Sequence, residues 1–127
     1  TPEGQKVGLN KGLAIISHIT FGTLAKPIIN FIADNGLELL DDLTPLETQP
    51  LCKVFVNGNW IGCHRSPEYL NTIFHLYRRN GLINVFISCT WDRFANEIKI
   101  YTDGGRFVRP LYIIENNNIL LFMLLYV

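Results

Sequence analysis

The chain has 127 residues, 48% of them apolar and 17% charged, and eleven Lys and Arg balance eleven Asp and Glu. That is one domain's worth with enough apolar content for a modest core, which excludes a disordered chain, and the zero net charge excludes a globally basic nucleic-acid binder, so any such contact must be local. Cys52, Cys63 and Cys89 are an odd number without CxxC spacing, which argues against a disulfide framework or a closed zinc site and predicts reduced, mostly buried thiols of an intracellular protein.

Residues 1–12 carry Gly4, Gly8 and Gly12 and read as an irregular loop. Leu13 to Thr20, rich in β-branched residues, predicts a buried strand. Pro27 suits a first helical position, apolar Ile28, Ile29, Phe31 and Ile32 follow, and Gly36 can close that helix. Residues 37–50 mix acids with two prolines and read as a linker between subdomains. Beyond it, Val54, Phe55 and Val56 lead into Asn57-Gly58, a two-residue hairpin signal, with Trp60 and Ile61 on the return strand. Ser66-Pro67-Glu68 is a helix start, and Leu70, Ile73, Phe74 and Tyr77 follow at helical spacing. Arg78 and Arg79 are expected in a solvated last turn before Asn80-Gly81. "INVFISCTWD" and "NEIKIYTD" predict two further strands, the second with Ile98 and Ile100 on one face. Gly104-Gly105 predicts a tight turn, and Pro110 confines the next strand to an edge or a strand start. The apolar end, Ile119 to Val127, is too short for a membrane span of about twenty residues and reads as a core strand, a helix stub or a bare apolar end. The fold class is α+β: an irregular Gly-rich loop with a strand and a helix, then a mixed subdomain with a hairpin, one amphipathic helix and antiparallel strands.

Candidate chemistry is thin. His18, His64 and His75 are dispersed, and Cys63-His64, as neighbours on a strand, point to opposite faces, which disfavours a nucleophile–base pair. Asp41-Asp42 read as solvated linker acids and Asp103 as a turn former, and no HExxH or DxDxD-like cluster is present. "GQKVGLNKG" lacks the spacing of a nucleotide-binding phosphate loop. Its glycines and two lysines can nonetheless present backbone N–H groups and ammonium groups to a phosphate backbone. A glycine-rich surface loop is the plainer alternative.

Three stretches carry a resemblance. "TPEGQKVGLNKGLAI" resembles the TPEGQxxGLxKxLA signature of the second-largest subunit of multisubunit DNA-directed RNA polymerases. "VFVNGNWIGCHRSPEYLNTIFHLYRRNGLI" is similar to that subunit's VFVNGxWxGxHRxPxxLxxxLxxLRRxGxI stretch, and "IKIYTDGGRFVRPLYIIE" to its LKIxTDxGRxxRPLxIVE. The three occur in the family's order. The bacterial β subunit resembles only the first block, so the likeness is to the eukaryotic, archaeal and large-DNA-virus branch.

The resemblance implies an internal piece of a much longer subunit: residues 1–43 from the fork region, 44–52 a linker, 53–115 the external 1 domain, and 116–127 an unmatched apolar tail. It implies a part of a nucleotidyltransferase that is inactive alone, with Mg bound by the largest subunit and no cofactor in this chain. The implied partners are the largest subunit, other core subunits, the DNA template and nascent RNA, with no membrane. The implied location is the nucleus, or a cytoplasmic viral factory or virion. The nucleic-acid-proximal residues are then Glu3, Gly4, Gln5, Lys6, Gly8 and Lys11, with Leu9 also in the signature. Gly4 and Gly8 would allow close backbone approach, and Gln5 and Lys11 would contact phosphate or ribose oxygens. Glu3, repelled by phosphate, would hold a basic side chain or shape the addition site. His64, Arg65, Asp103, Gly105, Arg106 and Arg109 would serve as scaffold or interface. The competing reading is a subunit-docking module without nucleic-acid contact.

Overall fold

The computed structural model describes residues 3–6, 8 and 12–126. Chain order gives β1 (His18–Ile19), α1 (Lys26–Asp34), β2 (Leu37–Leu39), α2 (Pro45–Thr48), β3 (Cys52–Val56), β4 (Asn59–His64), α3 (Pro67–Arg79), β5 (Ser88–Asp92), β6 (Glu97–Tyr101), β7 (Phe107–Val108), β8 (Pro110–Glu115) and β9 (Asn118–Tyr126), with short 3-10 turns at Gly4–Lys6 and Leu40–Asp42. The class is α+β.

The centre is a five-stranded sheet of order β2-β4-β3-β6-β5. Asn57 and Gly58 both take positive φ, 51° and 82°, and close the β3–β4 hairpin. β6 then lies parallel to β3, a long-range pairing that local sequence reading does not reveal. Its register explains it. Val54 meets Ile98 and Val56 meets Ile100 on the buried face, while Lys53 meets Glu97 on the other.

Period-2 alternation puts Cys52, Val54 and Val56 of β3 and Ile98 and Ile100 of β6 on one face, where α1 and α3 cover them. α1 contributes Ile28 and Ile32, and α3 contributes Leu70 and Phe74, so both parts of the chain share one core. Phe31 meets Phe74 edge-on at 6.2 Å and Tyr77 at 4.9 Å, which orients the two helices beyond simple burial.

Two expectations are corrected. The run Leu13–Thr20 is not a buried strand. Only His18–Ile19 pair, with β7, and Leu13, Ile15, Ile16 and Ile19 are exposed. An apolar run is buried only if a second surface faces it, and the described residues offer none. Arg78 is not solvated. It lies four and eight residues past Phe74 and Leu70, which puts it on the buried face of α3, 5% exposed. Its Nη1 donates to the Ile87 carbonyl at 3.0 Å, and its Nε is buried without a hydrogen-bond partner among the described residues.

The apolar end forms β9, paired antiparallel with β8, which Pro110 begins. Asn116 and Asn117, with φ of 50° and 64°, make the connecting turn, a hairpin signal of the same kind as Asn-Gly. Among the described residues no helix is long and apolar enough to cross a membrane.

Candidate functional site

In the glycine-rich segment, Gly4 begins a single 3-10 turn through Lys6, and Gly4 and Gly8 take φ of 81° and 86°. Nothing lies within 4 Å of the position a Cβ would occupy on either glycine. Glu3, Gly4, Gln5 and Gly8 are exposed. Lys11 and Leu9 lie outside the described residues. The exposed backbone and the Gln5 amide can meet phosphate or sugar oxygens, whereas the Glu3 carboxylate is repelled by them.

Beside the two-residue β1–β7 pairing and an edge-on Phe21–Phe86 contact at 6.4 Å, a polar seam joins the apolar run behind this segment to the body. Thr20 is its centre. Its N–H donates to the Arg106 carbonyl at 2.9 Å, and its own carbonyl accepts the Gly105 N–H at 2.9 Å. Its hydroxyl accepts the Arg106 N–H at 3.1 Å and donates to the Asp103 carbonyl at 3.4 Å. Three residues on, the Thr23 N–H donates to the Thr102 carbonyl at 2.9 Å. Gly104 packs directly against this strip. A Cβ on it would sit 2.9 Å from the Gly22 nitrogen and 3.1 Å from the Thr20 carbonyl oxygen, so only glycine permits the approach.

The far side of the seam is braced twice. The Asn57 side chain donates to the Thr102 hydroxyl at 2.9 Å and accepts the Thr102 N–H at 2.8 Å. The Arg106 guanidinium fans over the carbonyls of Phe86 at 2.8 Å, Tyr101 at 3.1 Å and Asp103 at 3.1 Å, with Nε on the Asp103 carboxylate at 3.2 Å. A rigid five-donor fork suits this task better than a lysine would. Thr20 and Thr102 are only 3% and 1% exposed, and at that depth an unpaired hydroxyl would cost more than a hydrogen bond yields. Asp103, Gly105 and Arg106 are thus brought together here. Sequence alone gives their partners Thr20, Thr23 and Thr102 no candidate role, and gives Asn57 a turn role. The one available signal is that Asn57 and Thr102 fall inside the second and third recognisable stretches, respectively.

His64 and Arg65 lie elsewhere. The β4 register puts His64 across from Cys52 and Leu37, and Cys63 across from Lys53 and Glu38, on opposite faces. Buried His64 accepts the Ser66 N–H on Nδ1 at 2.9 Å, so Nε2 carries the proton and donates to the Asn35 carbonyl at 2.7 Å. One ring therefore ties the end of α1 to the start of α3. Exposed Arg65 bonds Glu38 at 2.6 Å, which raises its pKa. Arg109 is exposed.

None of the three thiols is prepared as a nucleophile. Burial first, then the neighbouring Cys63, pushes the Cys52 thiol up to about 11. Burial pushes Cys89 up to about 12, and burial also raises Cys63, so all three remain protonated near neutral pH. Clefts open on the surface of the described residues. A groove of ≈ 480 Å³ between α1 and the segment after α3 is lined by apolar Leu24, Pro27, Phe31 and Leu82 with Tyr77 and Asn84. A second, of ≈ 550 Å³, holds Glu38, Asp42, Glu47 and Arg65. Among the described residues no group of three His, Cys, Asp or Glu is arranged to hold a metal ion.

The comparisons agree on one family. RNA polymerase Rpb2, domain 4, matches residues 54–115. DNA-directed RNA polymerase II subunit RPB2 of Schizosaccharomyces pombe is 42% identical over 117 residues, 92% of this chain and 10% of that protein. The Arabidopsis thaliana RNA polymerase II subunit 2 is 40% identical over 121 residues, 95% of this chain and 10% of that protein. The Encephalitozoon cuniculi RPB2 is 33% identical over 121 residues, 95% of this chain and 11% of that protein. The chain spans about a tenth of the length of these relatives. With the match running from the glycine-rich segment through the sheet body, the chain belongs to the family of second-largest subunits of DNA-directed RNA polymerases.

Proposed function

We propose that residues 3–12 lie against the RNA–DNA hybrid of a transcribing polymerase, as part of the fork region, and that the sheet body beyond them is scaffold of the external 1 domain. The observation carrying this is the pairing of family membership with exposure. In the segment that matches the TPEGQ signature, Glu3, Gly4, Gln5 and Gly8 are exposed, with open space around Gly4 and Gly8. A backbone without side chains at two positions, and an amide side chain between them, suits a polyanion that must be positioned without its sequence being read.

The chain would contribute no reacting group. The described residues offer no metal cluster and no activated thiol, so no step through a metal is assigned to them. The magnesium ions of nucleotidyl transfer belong, on this reading, to the largest subunit, which with the other core subunits, template DNA and nascent RNA makes up the partners. The place of action is the nucleus, since the matched relatives are RNA polymerase II subunits of eukaryotes.

The test is Gln5→Ala with Lys11→Ala in the assembled polymerase. Elongation should slow and the stalled hybrid complex should dissociate about thirtyfold faster, the loss of two net polar contacts of about 1 kcal/mol each, with subunit assembly unchanged. Unaltered elongation and lifetime would leave only the docking role. The 127-residue chain alone should show no nucleotidyl transfer with template and magnesium.

A further inference from the structure

We propose that the seam sets where the glycine-rich segment sits, with Thr20 and Arg106 as its positioning residues. This rests on the reading that residues 3–12 meet nucleic acid, and adds which groups hold them there.

The argument starts from what does not hold the segment. Between residues 13 and 24 the large apolar side chains Leu13, Ile15, Ile16, Ile19, Phe21 and Leu24 are all roughly half to fully exposed. They add little burial that could fix the segment to the body. β1 pairs with β7 over only two residues. Beside the edge-on Phe21–Phe86 contact at 6.4 Å, the directional fixed points are the polar bonds at Thr20 and Thr23 and the glycine-only contact at Gly104.

Hydrogen bonds are directional, whereas apolar contact is not. With the Thr23 hydroxyl also donating to the Thr102 carbonyl at 3.4 Å, a segment held by six of them at two threonines has a defined register and exit direction, even with its apolar residues uncovered. The receiving loop is itself immobilised. Arg106 ties it to Phe86 at the start of the β5 approach and to Tyr101 at the end of β6, and Asn57 ties it to the β3–β4 turn. Two of the stretches that carry the family likeness therefore meet at this seam, the second contributing Asn57 and the third Thr102 to Arg106, and Thr20 lies five residues past the end of the first. Thr20→Val keeps the β-branched shape and all backbone bonds and deletes only the two hydroxyl bonds, so it probes position rather than folding.

The experiment places a photo-crosslinking amino acid at position 6 in the assembled polymerase, stalled on a defined template. It maps which nucleotides are captured, with and without Thr20→Val, and with Thr20→Ser as the restoring variant. The expected result is crosslinking to hybrid nucleotides in the parent. In Thr20→Val the yield at the principal position falls about fivefold and capture spreads to neighbouring nucleotides, and Thr20→Ser recovers the parent pattern. Should Thr20→Val not be incorporated, Arg106→Lys decides in the same way, because it retains the backbone bonds to Thr20 and removes only the guanidinium fan. Crosslinks that are present in the parent and unmoved in both variants would overturn the positioning role while leaving the nucleic-acid reading intact. No nucleic-acid crosslink in the parent would overturn both.

Discussion

The sheet body and the N-terminal arm are built from similarly apolar sequence and end up in opposite states. Leu70, Phe74, Ile98 and Ile32 are fully buried, whereas Ile15 is fully exposed and Leu13, Ile16 and Phe21 are mostly so. The difference is not hydrophobicity but the presence of a facing surface. The body supplies its own: two helices over one sheet face, with alternation that sends every second residue inward. The arm has only the edge-on Phe21–Phe86 contact at 6.4 Å and the two-residue β1–β7 pairing beside its polar bonds, and its large apolar side chains stay exposed. Apolar content therefore reports the potential to be buried, and only topology converts it into a core.

The comparison is sharpest where a deep core side chain is removed. Phe74→Ala should destabilise the chain by about 3–5 kcal/mol, read as a fall in the midpoint of urea unfolding followed by far-ultraviolet circular dichroism. Phe74 is completely buried and touches Phe31 edge-on, so both helices lose their common contact. A cost near zero would mean that α1 and α3 are not packed through it. Next comes Arg78. Arg78→Ala leaves the Ile87 carbonyl without its donor and a void in the stem's place, for a loss of about 2 kcal/mol. Arg78→Met fills the stem volume and removes a buried charge whose Nε has no partner among the described residues, so it should cost less than about 1 kcal/mol. The reverse order would show that the charge itself is what the body needs.

Much of the body was legible in the residues because its signals are local. Proline at the start of α1 and α3, Asn57-Gly58 between alternating strands, and Ile98 and Ile100 two apart are each read within a short window. The parallel β3–β6 pair was not, since it depends on residues more than forty apart matching in register. Arg78 was half legible: its spacing from Leu70 and Phe74 placed it inward, while its charge and last-turn position argued outward. Spacing prevailed because the Ile87 carbonyl accepts the guanidinium within the fold. The arm misled for the opposite reason, a strong burial signal with no partner. At the candidate site, the glycine-rich segment stood out by likeness and spacing. Thr20 and Thr102 carry no signal as residue types, and become informative only once their burial is seen.

A smaller effect separates the two regions by pH. His75 sits half-buried on α3, and its pKa is held below the ordinary 6.5 by burial first, then by Arg78 and Arg79. The folded chain therefore binds fewer protons at His75 than the unfolded chain does. The stability this group contributes is complete above pH 6.5 and is lost as pH falls from there toward the lowered folded value. His75→Gln should flatten that acid limb of the unfolding midpoint. A parent curve that is already flat between neutrality and mild acidity would show that the ring is not desolvated in solution.

The least effect is expected in the arm, and there the comparison is most easily broken. Ile15→Ser with Ile16→Ser removes two large apolar side chains, a change that in the core would cost several kcal/mol. Ile15 and Ile16 are 101% and 58% exposed, so the unfolded chain exposes little that the folded chain hides, and the transfer term nearly cancels. The urea midpoint of the 127-residue chain should move by no more than about 0.5 kcal/mol. A loss of about 2 kcal/mol or more would require those side chains to be covered within the chain itself. The arm would then be held by burial, and the polar seam at Thr20 would no longer be what fixes its position.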